Sequence, residues 1–365
     1  MRYKERLEAL IKEVKAFNLD AVLISSPPNV FYLTGFSSSN AHLVVTPSEY
    51  IMLTDGRYYE KAQKQVSGWD IRLIDKGFEE SLTSVIKELN IKTLGYEKHR
   101  ITYEFFELIS KLVENPVGTK NLVEKLRLKK DEEELEIIRR AVILTEKIFE
   151  KIKDYLVSNL DKKEVSELEL RGVCVFEMFK AGASGESFPA IIASAEHSSI
   201  PHWESSEALI KTNAPLLIDM GLKLNGYCSD FTRTLYISKK PDDEFLKFYQ
   251  ILKDAWLFGF ESVKSGMPVK ELDLKIREYL SKKGVEKLFI HATGHGVGIE
   301  IHESPHISYK AKEDLYFEEG MVFTIEPGLY LPGKFGIRLE NIVAIRDGRP
   351  EILGSKDLEL EVIEV

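Results

Sequence analysis

At 365 residues the chain has material for two domains, or one large one, with ample cores. A formal net charge of -9 argues against nucleic acid as a partner, because phosphate binding wants a basic face, and no apolar run approaches the ~20 residues that span a membrane. Cys174 and Cys228 are the only cysteines, too few for a disulfide framework and suited to a reducing cytoplasm.

Residues 2–17 are charged throughout and periodic, with Leu7, Leu10, Ile11 and Val14 on one stripe. They predict an amphipathic helix and not a signal peptide. AVLIS (21–25) reads as a strand stopped by Ser26-Pro27-Pro28, and NVFYLTGF as a helix with Asn29 at its N-cap and Gly35 as its stop. HLVV and YIMLT are strands joined by a turn over Thr46-Pro47-Ser48-Glu49. DGRYYEKAQKQV, IRLI, FEESLTSVIKELN, TLGY and YEFFELISKLVE continue the alternation of helix and strand. Residues 1–123 are therefore predicted to form a three-layer α/β domain. Catalytic residue types do not concentrate there, so a lid or a dimerisation domain is its plainest role.

The remaining residues, 124–365, read as a second domain. A long helical pattern covers 126–156, and its acidic cluster, Asp131 to Glu134, suits a solvated helix N-terminus. Another helix is expected from Asp161 or Lys163 through Phe179. Strands follow in AIIAS, PLLIDMGL and FTRTLYIS, helices return over 244–263 and 269–283, and VFTIEPGLYL, GIRLENIVAI and LELEVIEV are strand-like. No repeat is legible residue by residue, although two passages each run from a helix pair into a hairpin.

The chemistry concentrates in HATGHGVGIEIHESP, residues 291–305, which holds His291, His295 and His302, with His306 just beyond. Gly294, Gly296 and Gly298 alternate around His295, as glycines do where backbone approaches a ligand closely or takes positive φ. A lone histidine is more often structural; several beside glycines, with suitable carboxylates elsewhere, are not easily so explained. Asp219 and Asp230 flank the hairpin signal Asn225-Gly226. An even-length loop puts both on one face, directly opposite or one diagonal apart. Two carboxylates so placed repel unless a cation or proton relieves them. Glu326 ends an apolar strand, and Glu340 lies among apolar residues close enough to Arg338 for an ordinary ion pair. Four carboxylates and one imidazole would balance two divalent cations. Oxygen-rich ligation with one nitrogen suits Mn, Co, Fe or Zn, and a metal pair of this kind serves hydrolysis.

These motifs, DMGLKLNGYCSDFTRT, GHGVGIEIHESP, TIEPGLY and GIRLEN, with IPHW more weakly, resemble those of the pita-bread metallopeptidases: Xaa-Pro dipeptidase (prolidase), aminopeptidase P and methionine aminopeptidase. YLTGF and TDGRYYEKA resemble the amino-terminal domain that the first two carry and the third lacks. The resemblance implies an α/β N-terminal domain followed by an α+β pita-bread catalytic domain. It implies that Asp219, Asp230, His295, Glu326 and Glu340 hold two divalent metal ions, with Asp230 and Glu340 bridging. Glu326 would also shuttle a proton. His202 and His302 would contact substrate and steady the tetrahedral intermediate, His291 would stand behind them or on the substrate side, and Arg338 would orient Glu340.

The chain departs from the family pattern at two places. Ala195 and His197 stand where relatives usually have Gly and Asn, which bears on the local loop. His306 stands where prolidases commonly carry an Arg that meets the free carboxylate of a dipeptide, and an imidazole holds that group less firmly than a guanidinium fork. GFSSSNAHLVVT also resembles aminopeptidase P more than prolidase. The expectation is a cytoplasmic Xaa-Pro aminopeptidase acting on peptides with proline second, with strict prolidase as the alternative. A binding protein that has lost catalysis and a metal-free amidinohydrolase are both disfavoured by the complete ligand set. By resemblance a homodimer is expected, with no nucleic-acid or membrane partner.

Overall fold

The computed structural model describes residues 2–312, 314–355 and 357–364, and the chain divides into two compact units after Arg127. The first unit is built from α1 (Tyr3–Ala16), β1 (Ala21–Ile24), α2 (Pro27–Thr34), β2 (Ala41–Val45), β3 (Tyr50–Asp55), α3 (Tyr59–Gln65), β4 (Asp70–Ile74), α4 (Phe78–Glu88), β5 (Thr93–Glu97), α5 (Tyr103–Leu112), β6 (Asn115–Thr119) and α6 (Glu124–Arg127). Its six strands form one mixed sheet in the order β4-β3-β2-β1-β5-β6. The Thr46 hydroxyl accepts from the Glu49 amide at 2.7 Å and closes the β2–β3 turn.

Three local expectations are corrected in this unit. Helix α2 begins at Pro27-Pro28, two residues before Asn29, with Ser26 at the N-cap. Prolines fit there because first-turn amides have no intrahelical acceptor. Asn29 is instead buried, donating to Glu97 at 2.6 Å and accepting from Arg127 at 2.7 Å. Strand β6 was not legible, since NPVGT carries Pro and Gly; it is tolerated because it lies at the sheet edge. Glu124 and Arg127 both bond Asn29, which keeps α6 with this unit, so the division falls after Arg127 and not after residue 123.

The second unit opens with α7 (Glu132–Asn159) and α8 (Glu167–Lys180), followed by β7 (Gly185–Glu186), β8 (Ile191–Ser194), β9 (Ala214–Met220), β10 (Leu222–Leu224), β11 (Tyr227–Cys228) and β12 (Phe231–Ile237). Then come α9 (Asp243–Ser262), α10 (Val269–Lys282), β13 (Gly294–Gly296), β14 (Glu303–Ile307), β15 (Val322–Ile325), β16 (Gly328–Leu331), β17 (Phe335–Arg338), β18 (Asn341–Arg346), β19 (Arg349–Ile352) and β20 (Val362–Ile363). Two helix pairs cover two antiparallel-rich sheets, β20-β12-β9-β8 and β14-β13-β15-β18-β19. Each half has its own core: Phe149, Leu170 and Ile218 in one, Trp256, Leu272 and Phe323 in the other. The Trp256 indole donates to the Ile325 carbonyl at 2.7 Å, which ties α9 to β15.

Asp131 caps α7 through a capping box with Glu134. Glu134 is not solvated as expected; it is buried and accepts from the Tyr227 hydroxyl at 2.9 Å. Helix α8 starts at Glu167, later than Asp161 or Lys163, because the Ser166 hydroxyl caps it by accepting from the Glu169 amide. Of the terminal LELEVIEV run, only Val362 and Ile363 form a strand, parallel to β12; Val365 lies outside the described residues.

Candidate active site

A cavity of about 960 Å³ opens in the second unit, and the ten residues singled out above line it: His202, Asp219, Asp230, His291, His295, His302, His306, Glu326, Arg338 and Glu340. Local chain geometry explains how they get there. Asn225 and Gly226 take φ of 49° and 85°, the positive-φ pair of a type I′ turn, with Leu224 opposite Tyr227. The same register carries into β9 and β12, where Asp219 faces Thr232. Asp230 lies two residues from that partner, so the aspartates share a face one diagonal apart. In the other half, His295 sits in β13, Glu326 follows β15 and Glu340 joins β17 to β18.

The glycines around His295 have a different purpose from the one expected. None of Gly294, Gly296 and Gly298 has positive φ. A Cβ on Gly294 would lie 2.1 Å from the Thr324 carbonyl oxygen, and one on Gly296 would lie 2.2 Å from that of Ser304. They admit the backbones of neighbouring strands and so bring His295 down between the carboxylates.

The ligand atoms of Asp230, His295 and Glu340 all lie within 4.8 Å of one another, a grouping that can hold a metal ion. Glu326 comes within 3.4 Å of His295 Nε2, and Asp230 within 3.6 Å. His295 Nδ1 meets the Gly296 carbonyl at 3.1 Å, so that nitrogen carries the proton. Its Nε2 lone pair therefore faces two carboxylates, and only a cation or a shared proton reconciles the three. Asp219 Oδ1 and Glu340 Oε1 are both buried with no hydrogen-bond partner among the described residues. Orphaned carboxylate oxygens are costly, and divalent cations would satisfy them. The donor set fits such ions.

The electrostatics point the same way. Burial, then repulsion from Glu340 and Asp219, holds the Asp230 carboxyl well above the usual range. Burial and Glu340 do the same to Glu326, and burial with Asp219 pushes Glu340 up to about 8. Burial, with help from His302, holds His295 down to about 4 and therefore neutral.

Arg338 takes a different partner from the one expected. Its guanidinium bonds Asp219, with Nη1 donating to the Tyr330 hydroxyl at 2.8 Å and Nε to Thr232 Oγ1 at 3.3 Å. Glu340 is reached only through Thr232, whose hydroxyl donates to Oε2 at 2.6 Å. His291 lines the cavity with both nitrogens engaged, Nδ1 at 2.8 Å from the Ala292 carbonyl and Nε2 at 2.9 Å from the Tyr330 hydroxyl. His302 packs edge-on against His295 with ring centroids 4.4 Å apart, and burial lowers its pKa.

Thr232, Thr324 and Tyr330 were missed from sequence. Thr324 Oγ1 accepts from the His295 amide at 3.1 Å and faces Glu326 at 3.4 Å. A signal existed: Thr232 lies two after Asp230 and Thr324 two before Glu326, the same-face spacing of a strand. Ala195, noted as a departure, takes φ of 51°, where a β-carbon is strained and glycine is not. Ala195→Gly is expected to stabilise the protein by about 0.5–1 kcal/mol, read as a higher urea midpoint at unchanged m.

Fold and site together define a metal-dependent hydrolase with a pita-bread catalytic unit. Residues 136–347 match Metallopeptidase family M24 and residues 6–129 the Creatinase/Prolidase N-terminal domain, and the chain belongs to that metallopeptidase family. It is 34% identical to an uncharacterised peptidase of Bacillus subtilis over 98% of this chain and 100% of the relative. It is 32% identical to the Xaa-Pro dipeptidase of Pyrococcus furiosus over 98% and 99%. Among solved structures, an Xaa-Pro dipeptidase from Bacillus anthracis superposes with a TM-score of 0.93 at 32% identity, covering 99% of this chain and 100% of that one. An X-Pro aminopeptidase from Thermotoga maritima superposes with 0.88 at 31% identity, covering 98% and 99%.

Proposed function

We propose that the protein is an exopeptidase that hydrolyses the bond between an N-terminal residue and proline, and that its substrates extend beyond the dipeptide. Family membership and the Xaa-Pro relatives support the reaction. The substrate length rests on one observation: both guanidiniums that line the cavity are committed. Arg338 bonds Asp219 and Tyr330, and Arg171 bonds Glu186 at 3.2 Å. Among the described lining residues no lysine is present, so a dipeptide's free carboxylate has only imidazoles to meet.

Asp219, Asp230, His295, Glu326 and Glu340 would hold two divalent cations, from among Mn, Co, Zn and Fe. Bound there, the cations supply Lewis acidity and a lowered pKa for attacking water. Glu326, beside the Thr324 hydroxyl and His295, takes the water's proton and returns it to the leaving proline nitrogen. His302 faces the carbonyl oxygen as charge develops on it, and His202 contacts the substrate from another wall. Arg338, Tyr330 and His291 form a chain of hydrogen bonds that fixes Asp219. We further read the protein as a homodimer of the reducing cytoplasm. Family membership supports the first, and two buried thiols support the second; among the described residues no helix is long and apolar enough to cross a membrane.

Prolidase is the second reading, favoured by the P. furiosus and B. anthracis dipeptidases, which match over nearly the whole chain. Paired hydrolysis of a Xaa-Pro dipeptide and a Xaa-Pro-Yaa tripeptide, after metal stripping and reconstitution with Mn, Co or Zn, separates the two. The tripeptide is expected to be the better substrate, and cleavage confined to the dipeptide would reverse the reading. His306→Arg supplies the missing fork and is expected to raise dipeptide kcat/KM by about tenfold or more.

A further inference from the structure

The cavity is also lined by apolar residues that the chemistry above does not use. Phe188, Pro189, Ile191, Ile301 and Trp203 are among its lining residues, and the Trp203 indole is the largest of these side chains. The indole is held from behind. Glu167, at the start of α8, is fully buried, and its carboxylate gathers donors from a single segment. Oε1 accepts from the Ser194 amide at 2.9 Å and from His197 Nδ1 at 2.8 Å. Oε2 accepts from Trp203 Nε1 at 2.8 Å, the Ser206 amide at 3.2 Å and the Ser206 hydroxyl at 3.0 Å.

The His197 ring stacks on the indole, with centroids 3.9 Å apart and planes 21° from parallel. One edge and one face of Trp203 are thus fixed by Glu167 and His197, neither of which lines the cavity. His202, the adjacent residue, is carried on the same clamped segment. A buried carboxylate that gathers five donors is a costly group to place in an interior unless position matters.

We propose that Glu167 is a positioning residue which, with His197, sets the Trp203 indole as an apolar wall of the substrate site, and that an uncharged ring or side chain of the peptide packs on it. The proposal rests on the peptidase reading. The wall confers specificity by contact, since apolar surface buried against an indole favours apolar over polar groups at the same place.

The test compares Trp203→Ala, Trp203→Phe, His197→Asn and Glu167→Gln with the wild-type enzyme, each metal-loaded and checked by circular dichroism. Trp203→Ala is expected to raise KM tenfold or more while kcat falls less than threefold, and Trp203→Phe to recover most of that loss. Varying the first residue between Leu and Ser, and the second between Pro and Ala, shows which group uses the wall, because its preference collapses in Trp203→Ala. Glu167→Gln turns an amide N–H toward other donors and is expected to lower kcat tenfold as His202 shifts, besides raising KM; His197→Asn should raise KM alone. An unchanged KM in folded Trp203→Ala overturns the wall, and wild-type kinetics in folded Glu167→Gln overturns the clamp. Should Glu167→Gln not fold, His197→Asn with wild-type KM overturns the clamp instead. If the wild type cleaves no Xaa-Pro peptide, the peptidase reading has failed separately. Quenching of the Trp203 fluorescence by Ala-Pro, absent in Trp203→Phe, then supports the wall, and no quenching overturns it.

Discussion

Replacing Asp230 by Asn should produce a protein that is inactive with any added cation yet more heat-stable than the wild type without one. Asp230 contributes a ligand atom to the grouping with His295 and Glu340, and it is buried beside three further carboxylates that push its proton affinity up. Asn keeps the shape but removes one repelling charge. Each pKa unit of relieved repulsion corresponds to about 1.4 kcal/mol, so a gain of a few degrees in the metal-free Tm is expected at pH 8. Activity should fall by more than the ~10–100-fold that loss of an outer partner of a metal ligand costs. Thermal melts and tripeptide hydrolysis on one preparation check both halves. A variant that melts lower than the wild type, or that regains turnover with Mn or Co, would sink the account of this cluster.

Without divalent cations, wild-type stability should decline as pH rises from about 6.5 to 8. A carboxyl whose folded pKa lies above its unfolded value binds more protons when folded, so the free energy of unfolding falls with pH between the two values. Glu340 moves from 4.5 up to about 8, and Asp230 and Glu326 are raised as well. Their contribution is complete below the unfolded value and is lost as pH climbs through the folded one. The buried histidines act oppositely. His295, at about 4 against 6.5, and His291, at about 3, favour the neutral folded form and add stability with rising pH only until 6.5. Above 6.5 the carboxylates act alone. The slope is then up to about 1.4 kcal/mol per pH unit for each proton held only by the folded state. Saturating Mn or Co should abolish the decline, since a cation replaces those protons, and add about 3 kcal/mol at a hundredfold excess over Kd. A metal-free Tm that is flat or rising over this window would contradict the arrangement.

How much of this was legible beforehand depended on the range of the interaction. Asn225-Gly226 determined a two-residue turn, the turn determined the register, and the period of two then put Asp219 and Asp230 on one face. The helix-then-hairpin order and the apolar strands ending in Asp219 and Glu326 were readable for the same reason, since each signal lies within a few residues of its effect. Other features required the folded chain. Arg338 lies beside Glu340 in sequence but bonds Asp219, 119 positions away, because β17 lies alongside β9 and Thr232 intervenes at Glu340. Gly294 and Gly296 looked suited to a ligand and instead admit Thr324 and Ser304, which no spacing reveals. Glu167 carries no sequence signal of its own and is the buried anchor of residues 194–206. Local geometry follows from covalent neighbours and periodicity, which a sequence displays directly. Which buried donor meets which acceptor follows from the packing of distant segments, so the sequence by itself determined the candidate ligands, and only tertiary structure decided the partners that orient them.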